Sequence, residues 1–270
     1  MTDTIPMPEE YVALFAAHGG SGLDYLRRHF PRFVATKRRL LSHRDRASGN
    51  QVLDIGAHWL HQTLLYAIDG FAVTALDLPA TLDLDSVRAL ARAHSIQLLP
   101  NTDLEHPSAL AGIADDTFDI ILFTEVLEHL AFNPVAMWRE IYRVMKPGAR
   151  IVVTTPNYYA LRTRLRQWMR AIRLFGGGLA IEQILSLRTL GHHWKEYSRR
   201  ELLRYFEMLS PDFRCRNFDY TEGYQPTLLA KPGGRLVQLL ERALPPLRPD
   251  LYLEVELDRK DKGIVVEPHW

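Results

Sequence analysis

The chain has little cysteine, little net charge and no long apolar run. Its 270 residues contain a single cysteine, Cys215, so a disulfide framework is excluded and we expect a reducing compartment. The net charge of +1 gives no general attraction to nucleic acid, and we expect no nucleic-acid partner. No apolar run approaches the roughly 18 residues that a membrane-spanning helix needs. Residues 1–10 contain acids and prolines but no apolar segment, so we expect no signal peptide and a cytoplasmic protein.

The most informative stretch, residues 52–63, has only one glycine in its turn. An apolar run that contains Asp54 ends at Gly56, as a buried parallel strand does where it turns toward a helix. A second apolar run, some twenty residues later, ends at Asp77. A strand, a turn, a helix and a second strand with an acid at its end are typical of the first half of a nucleotide-binding unit. The carboxylate would accept hydrogen bonds from the ribose hydroxyls.

From residue 51 onward, apolar segments alternate with helical patterns. Near-continuous apolar strands separated by helices indicate a parallel sheet that is covered on both faces. Residues 251–257 instead alternate between apolar and polar side chains, as an antiparallel strand with one wetter face does. We predict an α/β, Rossmann-like, doubly wound fold with a mostly parallel seven-stranded sheet and an antiparallel C-terminal strand. The predicted strands are 52–55, 72–76, 96–99, 118–123, 150–155, 213–220 and 251–257.

Helical segments are expected around this core. The predicted divisions are an N-terminal helical extension (1–49), a cofactor-binding core (50–157), a helical insertion or lid (158–197) and the C-terminal part of the same domain (198–270). The pattern predicts helices over 85–93, 134–145 and 201–209, and a capping box of Ser198 and Glu201 opens the last one. Lysines and arginines are frequent between residues 27 and 46, and we expect them on a solvated helix face.

Five short motifs follow one another along residues 50–157. They are Asp54-Ile55-Gly56, Asp77, Asp103-Leu104, Phe118-Asp119 with the later Glu125 to Leu130, and Lys146-Pro147-Gly148. Their order and spacing resemble class I S-adenosylmethionine-dependent methyltransferases. The similarity is greatest to the small-molecule branch, which contains ubiquinone-biosynthesis O-methyltransferases and enzymes that act on sugars and glycans. It continues more loosely through residues 193–198. The resemblance implies a methyltransferase with S-adenosyl-L-methionine as cofactor.

The resemblance also implies how individual residues would bind the cofactor. Gly56 would let the backbone approach the methionine part, and Asp54 would lie beneath the loop and orient it, with a water link to the ammonium as one option. Asp77 would hold the ribose hydroxyls. Asp103, with Leu104 beside it, would accept a hydrogen bond from the adenine amino group.

The segment after the fourth strand carries further candidates. By the same resemblance, Thr124 would line the cofactor pocket near the reacting sulfonium. Glu125, Glu128 and His129 have the spacing that places side chains on one side of a helical turn. In the ubiquinone-type enzymes the matching residues resemble a magnesium site, whereas many relatives have the same residues without a metal. We expect a hydrogen-bonded group that supports the site, and no metal.

The turn after the first strand departs from the family pattern Gly-x-Gly-x-Gly. His58 and Leu60 stand at the second and third glycine positions. Glycine is used there because a Cβ would obstruct the ligand or exclude a positive φ. His58 would either narrow the pocket or turn to bind the cofactor carboxylate. Since both acids are kept, we expect cofactor binding, and the alternative is a non-catalytic methyltransferase-like scaffold or binding protein. A nicotinamide dehydrogenase fits the turn less well.

Methyl transfer to a hydroxyl needs aligned reactants, exclusion of water and a base. His193 is the first candidate for the base, because its segment follows the fifth strand at the carboxyl edge of the sheet. His129 is the next candidate, with His192 and His58 as further ones. The predicted reaction is O-methylation of a small molecule or of a saccharide or glycolipid hydroxyl.

The predicted insertion contains a basic amphipathic helix at residues 161–173. Its apolar stripe consists of Leu161, Leu165, Trp168, Met169 and Ile172, and five arginines flank the stripe. Such a helix can lie on an anionic membrane or bind a lipid-linked substrate. A lid helix or the contact of a homodimer, with a solvated arginine face, is the favoured alternative.

Overall fold

The computed structural model describes residues 6–43, 49–173, 178–179, 181–222 and 234–269. The helices and strands follow in this order: α1 (Pro8–Ala17), α2 (Leu23–Ser42), β1 (Gln51–Ile55), α3 (Thr63–Ala67), β2 (Ala72–Asp77), α4 (Pro79–Leu82), α5 (Asp85–Ala93), β3 (Gln97–Pro100), β4 (Phe118–Thr124), α6 (Val135–Val144), β5 (Met145–Pro156), α7 (Leu161–Ile172), α8 (Ile181–Ser186), α9 (Arg199–Leu209), β6 (Phe213–Thr221), α10 (Gly234–Ala243) and β7 (Asp250–Leu257). The basic residues Arg44 and Arg46, and residues 174–177 of the predicted insertion, lie outside the described residues.

The sheet confirms the predicted fold class. Its strand order is β3-β2-β1-β4-β5-β7-β6. The first five strands in this order are parallel, and β7 runs antiparallel between β5 and β6. All seven predicted strands are present. Only β5 differs substantially from its predicted bounds, because it starts at Met145 and includes Lys146-Pro147-Gly148, opposite a register shift in β4.

Two apolar clusters cover the two faces of the sheet. Successive side chains of a strand point to opposite faces, so Val52 joins the cluster beneath α1, α2, α3 and α5, whereas Leu53 joins the cluster beneath α6 and α9. Val152 and Val153 of β5 divide in the same way. Burial on both faces explains why the parallel strands are nearly continuous apolar runs.

The basic stretch of α2 is not uniformly solvated, and the expectation of a solvated face is wrong for two residues. Lys37 is fully buried and its Nζ lies 2.5 Å from an oxygen of Asp69, which is also buried. Arg32 pairs with Glu125 at 2.7 Å and is one-tenth exposed. Lys37 follows Phe33 at helical spacing on the apolar side of α2, so its aliphatic stem packs into the core and its ammonium needs a buried partner.

The segment after the insertion agrees with its prediction. Ser198 caps α9 by accepting a hydrogen bond from the amide of Glu201, whose side chain in turn accepts one from the Ser198 amide.

Within the part of the chain that the structure describes, every helix is too short or too polar to cross a membrane.

The buried ion pair of α2 gives a prediction about stability. We expect Lys37→Met to lower the free energy of unfolding by about 3–5 kcal/mol, because Asp69 would become an uncompensated buried charge. The double variant Lys37→Met/Asp69→Leu removes both charges and should recover most of this loss. Urea unfolding of the three proteins measures both effects. Equal stability of the single and double variants would contradict the prediction.

Candidate functional site

A cavity of about 370 Å³ lies at the carboxyl ends of β1, β2 and β4. From β1 the chain passes to β2 on one side, and from β4 it passes to β5 on the other, so β1 and β4 flank the point where the strand order reverses. Open α/β sheets bind their ligands at this point. The lining residues are Tyr25, Arg32, Phe33, Asp54, Gly56, Ala57, His58, His61, Gln62, Asp77, Thr124, Glu125, Val126, His129, Leu190 and Gly191.

The turn after β1 has a left-handed backbone, which is typical of glycine, at two positions that are not glycine. Gly56, His58 and Leu60 have φ values of +78°, +49° and +64°. A Cβ on Gly56 would lie 2.5 Å from a methyl group of Val126, so this position requires glycine on two grounds. His58 and Leu60 take up the left-handed conformation at a cost of roughly 1–2 kcal/mol each. The turn therefore has the left-handed backbone that glycine favours, although His58 and Leu60 are not glycines.

Packing against the N-terminal helices stabilises this turn. The Trp59 ring lies against Gly22, where an added Cβ would come within 2.1 Å of the ring. The rings of His58 and Trp59 are in tilted contact with a centroid distance of 3.8 Å, and Tyr25 of α2 contacts both rings edge-on. Leu60 is fully buried. These contacts supply the energy that holds two non-glycine residues in a strained conformation.

Asp77, the predicted ribose-binding acid, lies at the end of β2 and lines the cavity. Its two carboxylate oxygens accept hydrogen bonds from the amides of His58 at 2.7 Å and Leu78 at 2.6 Å. A carboxylate oxygen offers about two acceptor positions, so each oxygen can take one more donor from the cavity. The His58 amide also fixes the turn to the end of β2.

Asp54 lies in the cavity wall beneath the turn and is almost fully buried. Its carboxylate accepts a hydrogen bond from the Thr63 hydroxyl at 2.7 Å. Burial raises the pKa of Asp54 to about 7, with a smaller contribution from Asp77, while the Thr63 bond acts in the opposite direction. Near neutral pH this acid is thus balanced between its two forms, and an ammonium beside it would favour the carboxylate.

Gln62 and Thr124 are neighbours in the cavity wall. The Thr124 hydroxyl lies 3.3 Å from Oε1 of Gln62. The Gln62 side chain is buried, and its Nε2 has no hydrogen-bond partner in the protein. A buried donor without a partner costs free energy unless a ligand or water accepts from it. This orphaned donor in the wall, together with the acids and the glycine turn, fits a cofactor with carboxylate and hydroxyl groups.

Sequence reasoning did not identify Arg32 as a cavity residue. Arg32 extends from α2 to Glu125, which has a φ of +56° and accepts a hydrogen bond from the Thr154 hydroxyl at 2.9 Å. Arg32 is the only lysine or arginine among the described residues that line the cavity. The sequence shows that α2 is rich in arginine and lysine, but this pattern does not show which arginine points into the cavity.

Asp103 and Leu104 lie apart from the cavity wall. Asp103 follows β3 and its side chain is exposed, with its carboxylate accepting from the amide of Glu105 at 2.9 Å and lying 3.3 Å from Nδ1 of His106. Leu104 packs partly against the core. Their adenine-binding role stays a prediction, and Asp103 would have to leave its own turn to fulfil it.

His129 lies in the cavity wall in a defined tautomer. Its Nδ1 lies 3.1 Å from the backbone carbonyl oxygen of His192, which can only accept, so Nδ1 carries the proton and Nε2 of the neutral ring does not. Burial lowers the pKa of His129 below its ordinary value. The nearest oxygen of Glu128 lies 3.9 Å from Nε2 and has no hydrogen-bond partner, while the other accepts from Thr155.

The other candidate bases are less well placed. His193 is exposed and does not line the cavity, although its ring meets that of His129 edge-on at 4.7 Å. Nε2 of His192 donates to the Gln183 carbonyl at 3.1 Å. Glu128, His129 and His193 each place one ligand atom within 4.8 Å of the others. The helical turn predicted to carry Glu125, Glu128 and His129 spans only residues 127–129, so Glu125 lies outside it.

The backbone of the turn gives a prediction about cofactor affinity. We expect Gly56→Ala to weaken binding of S-adenosylmethionine by about a hundredfold, because the added Cβ would displace the turn. His58→Gly should stay within about threefold of the natural protein, because it keeps the amide that bonds to Asp77 and relieves a left-handed histidine. Calorimetry measures both, with Asp77→Ala as the reference for lost binding. A large loss in His58→Gly would mean that the imidazole itself contacts the cofactor.

The raised pKa of Asp54 gives a prediction about pH. The carboxylate form becomes populated as pH rises through about 7, and only this form attracts the cofactor ammonium. Affinity for S-adenosylhomocysteine should therefore rise between about pH 6 and about pH 8, by up to roughly tenfold. Asp54→Asn can still accept from Thr63, and in this variant the rise should disappear. An unchanged pH dependence in Asp54→Asn would assign it to another group.

Comparisons with known proteins agree with this site. Residues 26–207, more than half of the chain, match a family described as a methyltransferase domain. The chain is 29% identical over 114 residues to a ubiquinone biosynthesis O-methyltransferase of Azotobacter vinelandii, covering 42% of this chain and 47% of that protein. Its counterpart in Pseudomonas putida is 31% identical over 114 residues, covering 41% and 46%. The chain thus matches less than half the length of these relatives.

Solved structures share the fold at low sequence identity. One is a chain from the complex between the Haloferax volcanii Trm112 methyltransferase activator and a methyltransferase, with a TM-score of 0.59, 18% identity and coverage of 95% of this chain and 100% of that chain. Another is an S-adenosylmethionine-dependent methyltransferase of Archaeoglobus fulgidus, with a TM-score of 0.50, 16% identity and coverage of 82% and 91%. The likeness to these structures concerns the fold alone, whereas the family match covers the cavity. The chain therefore belongs to this family of methyltransferase domains.

Proposed function

We propose that this enzyme methylates a hydroxyl oxygen of a small molecule, with a saccharide or glycolipid as the acceptor class, and that His129 is its base. S-adenosylmethionine supplies an electrophilic methyl group on a sulfonium. The chain has to align the acceptor, exclude water and take up the hydroxyl proton. The observation that carries the proposal is the bond between Nδ1 of His129 and the His192 carbonyl, because it leaves an unprotonated Nε2 on a cavity residue.

The surroundings of His129 suit a base at neutral pH. Because burial lowers its pKa, the imidazole is neutral before the reaction and available to accept a proton. Glu125 acts on this pKa in the opposite direction, so its negative charge favours the imidazolium that forms. His193 remains a second candidate, since it touches His129 but lies outside the wall.

The geometry of the turn weighs against the alternative of a non-catalytic scaffold. His58 and Leu60 keep a left-handed backbone, and the His58 amide still bonds to Asp77. A chain that had lost cofactor binding would gain stability by relaxing these strained residues. We infer that the strain is retained because the turn still holds the cofactor.

An acceptor screen tests the proposal directly. Purified protein would be incubated with methyl-labelled S-adenosylmethionine and a panel of saccharides, glycolipids, phenols, amines and proteins. We expect transfer to hydroxylated acceptors only. Methyl transfer to an amine or a protein, with none to any hydroxylated compound, would contradict the proposed reaction. Failure to bind S-adenosylhomocysteine would point to the scaffold instead.

Variants of the two neighbouring histidines test the base. His129→Ala should lower kcat by about 10²–10⁴-fold with the cofactor affinity unchanged. His193→Ala is the matched control and should stay within about tenfold. In the natural enzyme, kcat should fall only below about pH 6.5, because the pKa of His129 is lowered from that value. A larger loss in His193→Ala than in His129→Ala would reverse the assignment.

A further inference from the structure

The helices of the insertion expose an unusual amount of apolar surface. Neither α7 nor α8 has a buried residue. More than half of the surface is exposed for Trp168 and Ile172 of α7, Leu185 of α8 and Leu239 of α10. Single exposed apolar residues are ordinary on a protein surface, whereas a group of this size marks a binding surface.

Specific contacts hold these helices near one another. Arg162 of α7 forms a bidentate ion pair with Glu241 of α10. Arg164 of α7 pairs with Glu196, and His192 donates to the Gln183 carbonyl of α8. Both insertion helices are thus tied to the same short segment, residues 192–196. We call α7, α8 and α10 together the insertion surface.

The insertion, which contributes α7 and α8 to this surface, differs in charge from the rest of the chain. Residues 161–190 contain six arginines and one acid, Glu182, which gives +5 in a chain whose total is +1. The remaining residues therefore carry a net negative charge. Arg166, Arg173 and Arg188 are exposed next to the apolar side chains. Positive charge beside exposed apolar groups is complementary to an anionic bilayer, which offers a negative surface above an apolar interior.

A second copy of the chain is a poorer occupant. In a two-fold symmetric dimer a surface meets itself, so the exposed arginines of two copies, Arg166, Arg173 and Arg188, would face each other and repel. A soluble partner would need both a large apolar face and a cluster of acids. An anionic membrane combines these two properties without further assumptions.

We propose that the insertion surface docks the enzyme on anionic lipid bilayers. Trp168, Ile172 and Leu185 enter the interfacial region, while Arg166 and Arg173 lie at the headgroups. The cavity opens beside this surface, because Leu190 both lines the cavity and is 61% exposed. Docking depends on neither the proposed reaction nor its base.

Vesicle binding tests the docking surface. The full-length protein would be floated with phosphatidylcholine vesicles that contain or lack phosphatidylglycerol. We expect binding to the anionic vesicles only, reduced by added salt. Trp168→Glu/Leu185→Glu should abolish it, and Arg166→Glu/Arg173→Glu should weaken it by at least about tenfold, since each basic residue contributes roughly fivefold near such a surface.

Matched controls separate docking from general effects of charge. Met208→Glu places an acid at an exposed apolar residue of α9, and Arg92→Glu/Arg204→Glu reverses two exposed arginines outside the insertion surface. Both controls should bind as the natural protein does, and all variants should bind S-adenosylhomocysteine. Equal binding to neutral vesicles, or equal losses in the controls, would overturn the proposal. The proposal would also be overturned if sedimentation velocity showed a dimer that Leu185→Glu converts to the 31.1 kDa monomer. The insertion surface would then bind a second copy of the chain.

Discussion

The hydrogen bond from the His58 amide to the Asp77 carboxylate ties the turn after β1 to the end of β2. The backbone of this turn is left-handed at His58 and Leu60, two of the positions where the sequence resemblance leads us to expect glycine. In this chain two bulky residues adopt that conformation, and the rings of Trp59 and Tyr25 pack around the turn to hold it. The N-terminal helices are therefore part of the cofactor site as well as of the fold.

The same helices balance the charge of the cavity. Asp54, Asp77 and Glu125 line its wall, and Arg32 of α2 reaches in to pair with Glu125. The lining histidines His58, His61 and His129 have pKa values lowered by burial and add no positive charge near neutral pH. An acid-rich wall with a single guanidinium suits a cofactor that carries cationic groups together with one carboxylate.

The sequence predicts the sheet better than it predicts the side chains of the site. Strands such as β1 and β4 are nearly continuous apolar runs because both of their faces are buried, so their presence follows from the pattern. The position of Asp77 follows in the same way, since it ends a strand. Arg32 and Asp103 show what the sequence pattern cannot predict about the side chains of the site. Periodicity places a residue on a helix or at an edge, but long-range partners decide whether its side chain enters the cavity or bonds to its own turn.

The insertion links the proposed membrane contact to the proposed base. Residues 187–192 leave α8, contribute Leu190 and Gly191 to the cavity, and end at the His192 carbonyl that orients His129. A bilayer that holds α8 would therefore face the open side of the cavity, so an acceptor could enter at the level of the headgroups. One short segment thus connects the proposed docking surface to the carbonyl that orients the proposed base.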